Sequence, residues 1–325
     1  MRRAMAAVTA ALVLTALSPQ GVASAALEEK RLSGSDRYRT AVAISQAHFS
    51  SSWGAVVASG ANFPDALGAG PYAAAYGVPL LLVPPTGTLP SAVAAELDRL
   101  GVQAITVTGS AGAVSDGMLT QLQSHAAAGA YRVAGPDRFE TAAALAPSVR
   151  EGGRLFVASG DTFADALGGG AAAAWAQGAL LLTKGSTLPA TTVEALKAAR
   201  PREVVVLGGA SVVSSAVFSS IQKAVPTASV VRASGTNRFA TAADISAYSF
   251  PSGARTVYLA AGTTFPDALA GAGVAGRSGA PLLLTLRDCV PAETRREISR
   301  LGASTVIALG GESVVSAAAL RLTAC

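Results

Sequence analysis

The sequence predicts an α/β fold of three tandem repeats, each a small parallel sheet flanked by helices. Similar blocks recur about every 100 residues along the 325-residue chain. Within each block, short apolar runs alternate with longer helical patterns, as in parallel strands joined by crossover helices. Because 50% of the residues are hydrophobic and only 14% are charged, the composition excludes a disordered chain.

Four blocks return in the same order, and they define the repeats. The first block reads SGSDRYRTA from Ser33, AGPDRFETA from Ala134 and SGTNRFATA from Ser234. The second block reads VASGANFPDALG, VASGDTFADALG and LAAGTTFPDALA. The third block is a leucine triplet. The fourth reads AITVTGSAGAVS, EVVVLGGASVVS and TVIALGGESVVS. We place the repeats at residues 27–128, 129–227 and 228–325.

The second repeat illustrates the predicted elements in order. Strands are expected at residues 131–133, 155–158, 180–182 and 203–207, with helices at 138–149, from about Phe163, from Pro189 and after Ser214. The leucine run does not alternate with polar residues, which indicates a strand buried on both faces. Pro189 is expected at the first helical position, where a missing N–H costs nothing, and Ser214 is expected to cap the last helix.

The N-terminus is typical of a secretory signal peptide. Arg2 and Arg3 precede an apolar run from Ala4 to Leu17, and Ala23-Ser24-Ala25 offers a small-residue cleavage site. A membrane anchor is the alternative, but the run is shorter than the roughly 20 residues that a spanning helix needs. We therefore predict a signal peptide at residues 1–25 and a secreted mature chain that no longer contacts the membrane.

The number of cysteines and the net charge limit the classes of function that the chain can have. In an oxidising compartment Cys289 and Cys325 could form one disulfide, which leaves no cysteine for zinc or catalysis. The formal net charge is +5, and removal of Arg2 and Arg3 with the signal peptide lowers it by two, to about +3. That balance is compatible with an acidic polymer and too weak to indicate nucleic acid.

The combination of G-x-DR-Y/F-x-TA, SG-x-x-FPDAL, P-x-LL and LGG-x-SVVS resembles the type 2 cell-wall-binding repeat of Gram-positive surface proteins. The resemblance covers about 300 of the 325 residues. It implies an intramolecular trimer around a pseudo-threefold axis. It also implies noncovalent anchoring to an anionic secondary cell-wall polymer, teichoic-acid-like or another acidic glycan, at the cell surface.

The resemblance also implies that the proline-aliphatic-leucine-leucine segment lines a polymer-binding groove. The matching positions are Pro79, Leu80, Leu81 and Leu82; Leu180, Leu181 and Leu182, where Ala179 replaces the proline; and Pro281, Leu282, Leu283 and Leu284. The alternative is that these leucines are simply sheet core. Both can hold, because the loop after such a strand faces the crevice where open α/β sheets bind ligands.

Arg37, Arg138 and Arg238 are the strongest candidates for contact with an anion. A guanidinium stays charged and grips phosphate or carboxylate with two hydrogen bonds. The alternative is a structural ion pair with Asp65, Asp165 or Asp267, or with a neighbouring repeat. The preceding residues of each copy, Asp36, Asp137 and Asn237, are expected to cap the following helix.

Glycines between the last strand and the last helix of each repeat could present backbone N–H groups to a phosphate. They are Gly109, Gly208-Gly209 and Gly310-Gly311. The alternative is a plain turn followed by a serine cap at Ser115, Ser214 or Ser316. No G-x-G-x-x-G fingerprint or phosphate-binding lysine loop occurs at these turns, so we predict no nucleotide and no other cofactor.

Catalysis is not indicated. The two histidines, His48 and His125, fall at different points of the first repeat and have no counterparts in the others. We therefore predict a non-catalytic anchoring module, with no metal site. The alternatives are a wall-active hydrolase, either amidase or glycosidase, which would need an unrepeated cluster of catalytic groups, and an exported solute-binding receptor, which would normally show two lobes.

Overall fold

A computed structural model of the chain describes residues 27–146 and 152–325. The predicted signal peptide at residues 1–25 lies outside the described residues, as does the end of the predicted helix at 138–149. No helix among the described residues is long and apolar enough to span a membrane.

The described residues form twelve strands and twelve α-helices. The strands are β1 (Glu28–Leu32), β2 (Gly54–Ser59), β3 (Leu80–Val83), β4 (Ala104–Thr108), β5 (Ala130–Val133), β6 (Arg154–Ser159), β7 (Ala179–Thr183), β8 (Glu203–Leu207), β9 (Ser229–Ala233), β10 (Thr256–Ala261), β11 (Leu282–Thr285) and β12 (Thr305–Leu309). The helices are α1 (Arg37–His48), α2 (Ala69–Tyr76), α3 (Ser91–Leu100), α4 (Asp116–Gln123), α5 (Arg138–Ala144), α6 (Ala164–Trp175), α7 (Ala190–Ala199), α8 (Ser215–Ala224), α9 (Arg238–Ser249), α10 (Pro266–Arg277), α11 (Ala292–Leu301) and α12 (Ala317–Leu320).

The predicted α/β class and the threefold arrangement of parallel sheets are confirmed. Three four-stranded parallel sheets have the orders β3-β2-β4-β5, β7-β6-β8-β9 and β1-β12-β10-β11. Pro189 differs slightly from its predicted position. It is the N-cap of α7, with extended backbone (φ −62°, ψ 147°), so the helix begins one residue later.

The first strand of each repeat belongs to the sheet of another repeat. Strand β5 pairs with β4, β9 pairs with β8, and β1 pairs with β12, so that Glu28 is in register with Thr305 and Leu32 with Leu309. The exchange closes the chain into a ring, because the strand nearest the N-terminus completes the sheet of the third repeat. Every junction between repeats is therefore bridged by backbone hydrogen bonds as well as by side-chain packing.

Helices α2, α6 and α10 pack against one another at the centre of the ring. Their contact residues are small, which allows the backbones to approach closely. At Gly276, for example, an added Cβ would lie 2.3 Å from the carbonyl oxygen of Ala171 in the neighbouring helix. Any larger residue there would push α6 and α10 apart.

Repeats one and three share a buried polar network that the second repeat lacks. Glu96 is 1% exposed, accepts a hydrogen bond from Ser45 at 2.5 Å and is paired with Arg99 at 2.7 Å. The third repeat repeats this arrangement with Glu297, Ser246 and Arg300. The equivalent positions of the second repeat are all alanine, namely Ala195, Ala146 and Ala198.

Candidate functional site

The arginine of each repeat faces the aspartate of another repeat at the carboxyl ends of the strands. Arg138 acts electrostatically on Asp65, Arg238 on Asp165 and Arg37 on Asp267. The strand exchange produces this pairing, because it carries each arginine-bearing segment across a junction. Each arginine thus faces an aspartate of a neighbouring repeat without forming an ion pair with it among the described residues, and its contact with an anion stays a prediction.

Each of these aspartates is held by a threonine from the same partner repeat as the arginine. The Thr40 hydroxyl donates to Asp267 and accepts the N–H of Gly34 at 3.1 Å. Thr141 does the same for Asp65, and Thr241 for Asp165. The arrangement fixes the aspartates in place.

Burial raises the pKa of all three aspartates above the ordinary value for this residue. The threonine hydroxyl and the facing arginine lower the pKa, but loss of hydration outweighs them. Asp165 is only 8% exposed and Asp267 only 9%. Burial is therefore the main influence on the pKa of these three carboxyl groups.

The three arginines are anchored by one hydrogen bond each and remain open to solvent. Nη1 donates at 2.5 Å to a backbone carbonyl of the loop after the second strand of the repeat: Arg37 to Gly60, Arg138 to Gly160 and Arg238 to Gly262. Arg37 and Arg238 are exposed, and Arg138 is half-buried. Because a guanidinium has five N–H donors, most of its donors remain free for an anion or water.

A second set of arginines, which the sequence analysis did not identify, stabilises the loop between the last strand and the last helix of each repeat. Arg31, Arg132 and Arg232 donate to the carbonyls of Gly310, Gly109 and Gly208 at 2.7, 2.7 and 2.6 Å. The signal was available, since an arginine precedes each candidate arginine by six residues in all three copies.

The glycines that these carbonyls belong to are required by the site. Gly208 and Gly310 have φ near +97°, and a Cβ there would lie 2.4 Å from a carboxylate oxygen of Asp165 or Asp267. Their N–H groups donate to the neighbouring strand, to Ala233 and Leu32. The first glycine of each loop is thus a turn glycine whose N–H is not free to bind phosphate.

The expected helix caps are confirmed at both loops of the site. Asp36, Asp137 and Asn237 accept backbone N–H groups at the start of α1, α5 and α9. Ser115, Ser214 and Ser316 do so at the start of α4, α8 and α12.

Grooves open at the junctions between repeats, and we call them the inter-repeat grooves. The groove between the first and second repeats has a volume of about 400 Å³ and is lined by Asn62, Asp65, Ser110, Asp137 and Arg138 among others. The groove between the third and first repeats is smaller, about 150 Å³, and includes the equivalent Arg37 and Asp267. Each of these two grooves thus places one guanidinium beside two carboxylates and a set of hydroxyl and backbone groups; the carboxylates are Asp65 and Asp137 in the first groove and Asp36 and Asp267 in the second.

The leucine triplets lie in the sheet core rather than on the groove walls. All nine leucines form strands β3, β7 and β11 and are between 0% and 4% exposed, and Pro79 and Pro281 are buried as well. Leucines so deeply buried can act on a ligand only by positioning the loops that follow them.

Three phenylalanines meet where the inter-repeat grooves converge on the axis. Phe63, Phe163 and Phe265 precede the aspartates by two residues, and their ring centroids are 5.4 to 5.7 Å apart. Arg238 lies over the Phe163 ring at 5.8 Å. The trio joins the three loops that carry the aspartates, and its side chains are only partly buried.

Other polar groups do not form a catalytic or metal cluster among the residues described. His48 contacts Tyr258 at 2.7 Å and His125 contacts Asp98 at 2.7 Å, both away from the grooves. No group of three or more histidine, cysteine, aspartate or glutamate side chains in residues 27–146 and 152–325 could hold a metal ion. Cys289 and Cys325 form a disulfide.

The family model for cell wall binding domain 2 (CWB2) matches the chain three times, at residues 31–119, 132–218 and 232–320. The chain belongs to the CWB2 family. Each match contains one arginine of the first set, one aspartate and one leucine triplet. The chain is accordingly a cell-wall-binding module, and a location at the cell wall or cell surface follows.

Similar proteins carry the CWB2 region as part of a longer chain. The N-acetylmuramoyl-L-alanine amidase LytC of Bacillus subtilis is 29% identical over 88% of this chain and 56% of its own length. The amidase enhancer of the same organism is 27% identical over 82% of this chain and 36% of its own. The chain thus spans about half, or less, of the curated relatives it matches.

Solved structures show the same architecture. Cwp6 from Clostridium difficile superposes with a TM-score of 0.83 at 26% identity, covering 96% of this chain and 51% of that one. Cwp8 from the same organism gives a TM-score of 0.80 at 25% identity, with coverage of 90% and 50%.

Proposed function

We propose that the chain is a secreted, non-catalytic module that holds an anionic secondary wall polymer in its inter-repeat grooves. One observation carries the proposal: a guanidinium that is anchored at a single donor, exposed at Arg37 and Arg238 and half-buried at Arg138, recurs at each of the three junctions. Guanidinium groups bind phosphate and carboxylate through paired N–H groups, which suits a polymer carrying either anion.

The surroundings of the arginines support binding of an extended polymer rather than a small enclosed ligand. The grooves are open, polar and repeated, and the side chains at them include the hydroxyls of Ser110 and Ser313. Three arginine sites on one closed ring allow one polymer chain to contact more than one of them. Simultaneous occupation raises the effective concentration for each further contact and strengthens retention on the wall.

Cosedimentation with purified Gram-positive walls tests this function. The mature chain, residues 26–325, is mixed with intact walls and with walls stripped of secondary polymers by acid, and the supernatant is assayed for released wall fragments. We expect binding to intact walls only, without release of fragments. Equal binding to stripped walls would contradict the polymer assignment, and soluble fragments would contradict the non-catalytic one.

A further inference from the structure

A further cavity lies at the opposite end of the threefold axis from the grooves. Helices α6 and α10 begin beside Phe163 and Phe265 and run for twelve residues, or roughly 18 Å, away from the grooves. The C-terminal ends of α2, α6 and α10 surround a cavity of about 500 Å³, which we call the axial pocket. It is separate from the grooves and contains none of the residues assigned to polymer binding.

The axial pocket breaks the threefold symmetry of the ring. Ala75, Trp175 and Arg277 occupy equivalent positions, each five residues before its leucine triplet, and all three line the pocket. One small, one aromatic and one cationic residue therefore face a common space. A site with this composition exists once per molecule, whereas equivalent grooves open at two of the junctions between repeats.

Trp175 offers an aromatic face to the axial pocket. Its indole stacks on Phe250 at a centroid distance of 5.7 Å and an interplanar angle of 22°, which covers one face. The residue is nevertheless 48% exposed and lines the pocket, so part of the indole is available to a ligand. A rigid, exposed indole backed by a second ring is a ready stacking surface for an apolar ring face.

Polar groups stand beside the indole. Arg277 is exposed, lies over the Phe49 ring at 5.9 Å and has no ion-pair partner in the part of the chain that the structure describes. Gln177 has φ +52°, a conformation that strains a residue with a side chain. The equivalent residues of the other repeats are Gly77 and Gly279, so this strain is specific to the repeat that also carries the tryptophan.

The electrostatics of the axial pocket favour a ligand rich in hydroxyl or amide groups over a bare anion. Three helix C-termini direct partial negative charge into it, which repels anions and attracts hydroxyl donors. Arg277 and Gln177 supply donors for ligand oxygens. A pyranose ring combines an apolar face with hydroxyl groups at its edge, and a cavity of this volume accommodates a small saccharide.

We propose that the axial pocket is a saccharide-binding site in which a neutral pyranose stacks on Trp175 while Arg277 and Gln177 bind its hydroxyl or N-acetyl oxygens. The site would give the module a second contact with wall glycan, independent of the arginines in the grooves. Its occupancy is one sugar per chain.

Tryptophan fluorescence provides a direct test, because Trp53 and Trp175 are the two tryptophans of the sequence. In the mature W53F variant, Trp175 is the sole tryptophan, and Trp53 does not line the axial pocket. Titration with a soluble N-acetylglucosamine trisaccharide is expected to give a saturable change in emission in the millimolar range. No saturable change would overturn the proposal.

Two substitutions in the W53F background locate the site. Arg277→Ala is expected to weaken binding at least about tenfold. Gln177→Gly places in the second repeat the glycine that the other repeats carry, so it should relieve strain and leave the fold intact, which circular dichroism checks. Unchanged affinity in both variants would place the sugar elsewhere and contradict the proposal.

A groove variant separates this proposal from the proposed function. Arg37→Gln, Arg138→Gln and Arg238→Gln combined in the W53F background should leave the sugar titration unchanged, whatever that variant does on walls. Loss of the titration signal in it would assign the sugar to the grooves and overturn the axial site. Failure of wall binding alone would leave the axial site supported by its own titration.

Discussion

The guanidinium of Arg31 lies 2.7 Å from the carbonyl oxygens of both Gly310 and Val315, although 279 and 284 residues separate these partners along the chain. The contact joins β1 to the loop after β12 and so closes the ring. The same loop contains the glycine that packs against Asp267. The Arg31 side chain therefore reinforces both the β1–β12 pairing that closes the ring and the loop that borders the groove.

Arg31→Ala is expected to lower the free energy of unfolding by about 2 kcal/mol, because it removes two charge-assisted hydrogen bonds from partly buried carbonyls. Urea denaturation measures the change. Lys30→Ala is the matched control, since Lys30 pairs only with Glu28 at an exposed site and should contribute little. An equal effect of the two substitutions would contradict the role of Arg31 in closure.

The buried network of the first repeat predicts an unusual pattern of stability. Glu96→Ala alone should cost about 3 kcal/mol, because it leaves Ser45 and Arg99 without their carboxylate. The triple change Ser45→Ala, Glu96→Ala and Arg99→Ala reproduces the alanines of the second repeat and should cost less than the single change. Chemical denaturation measures the free energy of unfolding of both variants. A triple variant less stable than the single variant would contradict this explanation.

Asp267 predicts a pH dependence of defined sign. Its pKa is raised in the folded state, so the folded chain binds this proton more readily than the unfolded chain. The ionised carboxylate of Asp267 therefore lowers the free energy of unfolding at neutral pH. This loss disappears as the pH falls from the folded-state pKa of Asp267 to the ordinary pKa of an aspartate in the unfolded chain.

Asp267→Asn should accordingly match or exceed the wild-type free energy of unfolding at about pH 7, and lose this advantage by about pH 4. Urea denaturation across this range measures the difference between variant and wild type. Asp288→Asn serves as the control, because Asp288 is exposed beside Arg287. If Asp267→Asn were less stable at neutral pH and equal to wild type in acid, the raised pKa would be wrong.

The disulfide between Cys289 and Cys325 closes a loop of 36 residues. The chain-entropy relation assigns such a loop roughly 4 kcal/mol, so reduction, or the paired change Cys289→Ser and Cys325→Ser, should lower stability by up to about that amount. Hydrogen exchange should show the loss at Val290, whose N–H donates to Thr323 at 2.7 Å. Unaltered protection of Val290 after reduction would show that the bond is not needed to hold the C-terminal segment.

The repeated blocks sufficed to predict the local structure of the chain. In the second repeat each predicted strand lies within a residue or two of an observed one, and the caps at Asp137 and Ser214 are confirmed. Strand positions and helix caps depend on residues a few positions away in the sequence. The repeated blocks and the capping preferences of the residues therefore predict them.

The exchange of strands between repeats was not predictable by the same means. A strand such as Ala130–Val133 has the same pattern whether it pairs within its own repeat or with the preceding one. The sequence alone therefore does not identify the residue that faces Arg138, because that residue follows from the strand exchange. The carbonyl partner of Arg132 is revealed only by the fold. The sequence shows only that Arg132 precedes Arg138 by six residues.

The central claim is that the arginines of the inter-repeat grooves hold an anionic wall polymer, and one binding isotherm on intact walls tests it most directly. Wild type is compared with Arg37→Gln, Arg37→Lys, and the corresponding triple variants at Arg37, Arg138 and Arg238. Glutamine keeps polar N–H donors but carries no charge, whereas lysine keeps the charge without the paired N–H geometry.

Avidity should make Arg37→Gln only modestly weaker than wild type, and the triple glutamine variant should lose wall binding. The triple lysine variant should keep part of it, and added salt should weaken wild type more than the triple glutamine variant. A folded triple glutamine variant that binds walls as wild type does, with the same salt dependence, would contradict the claim.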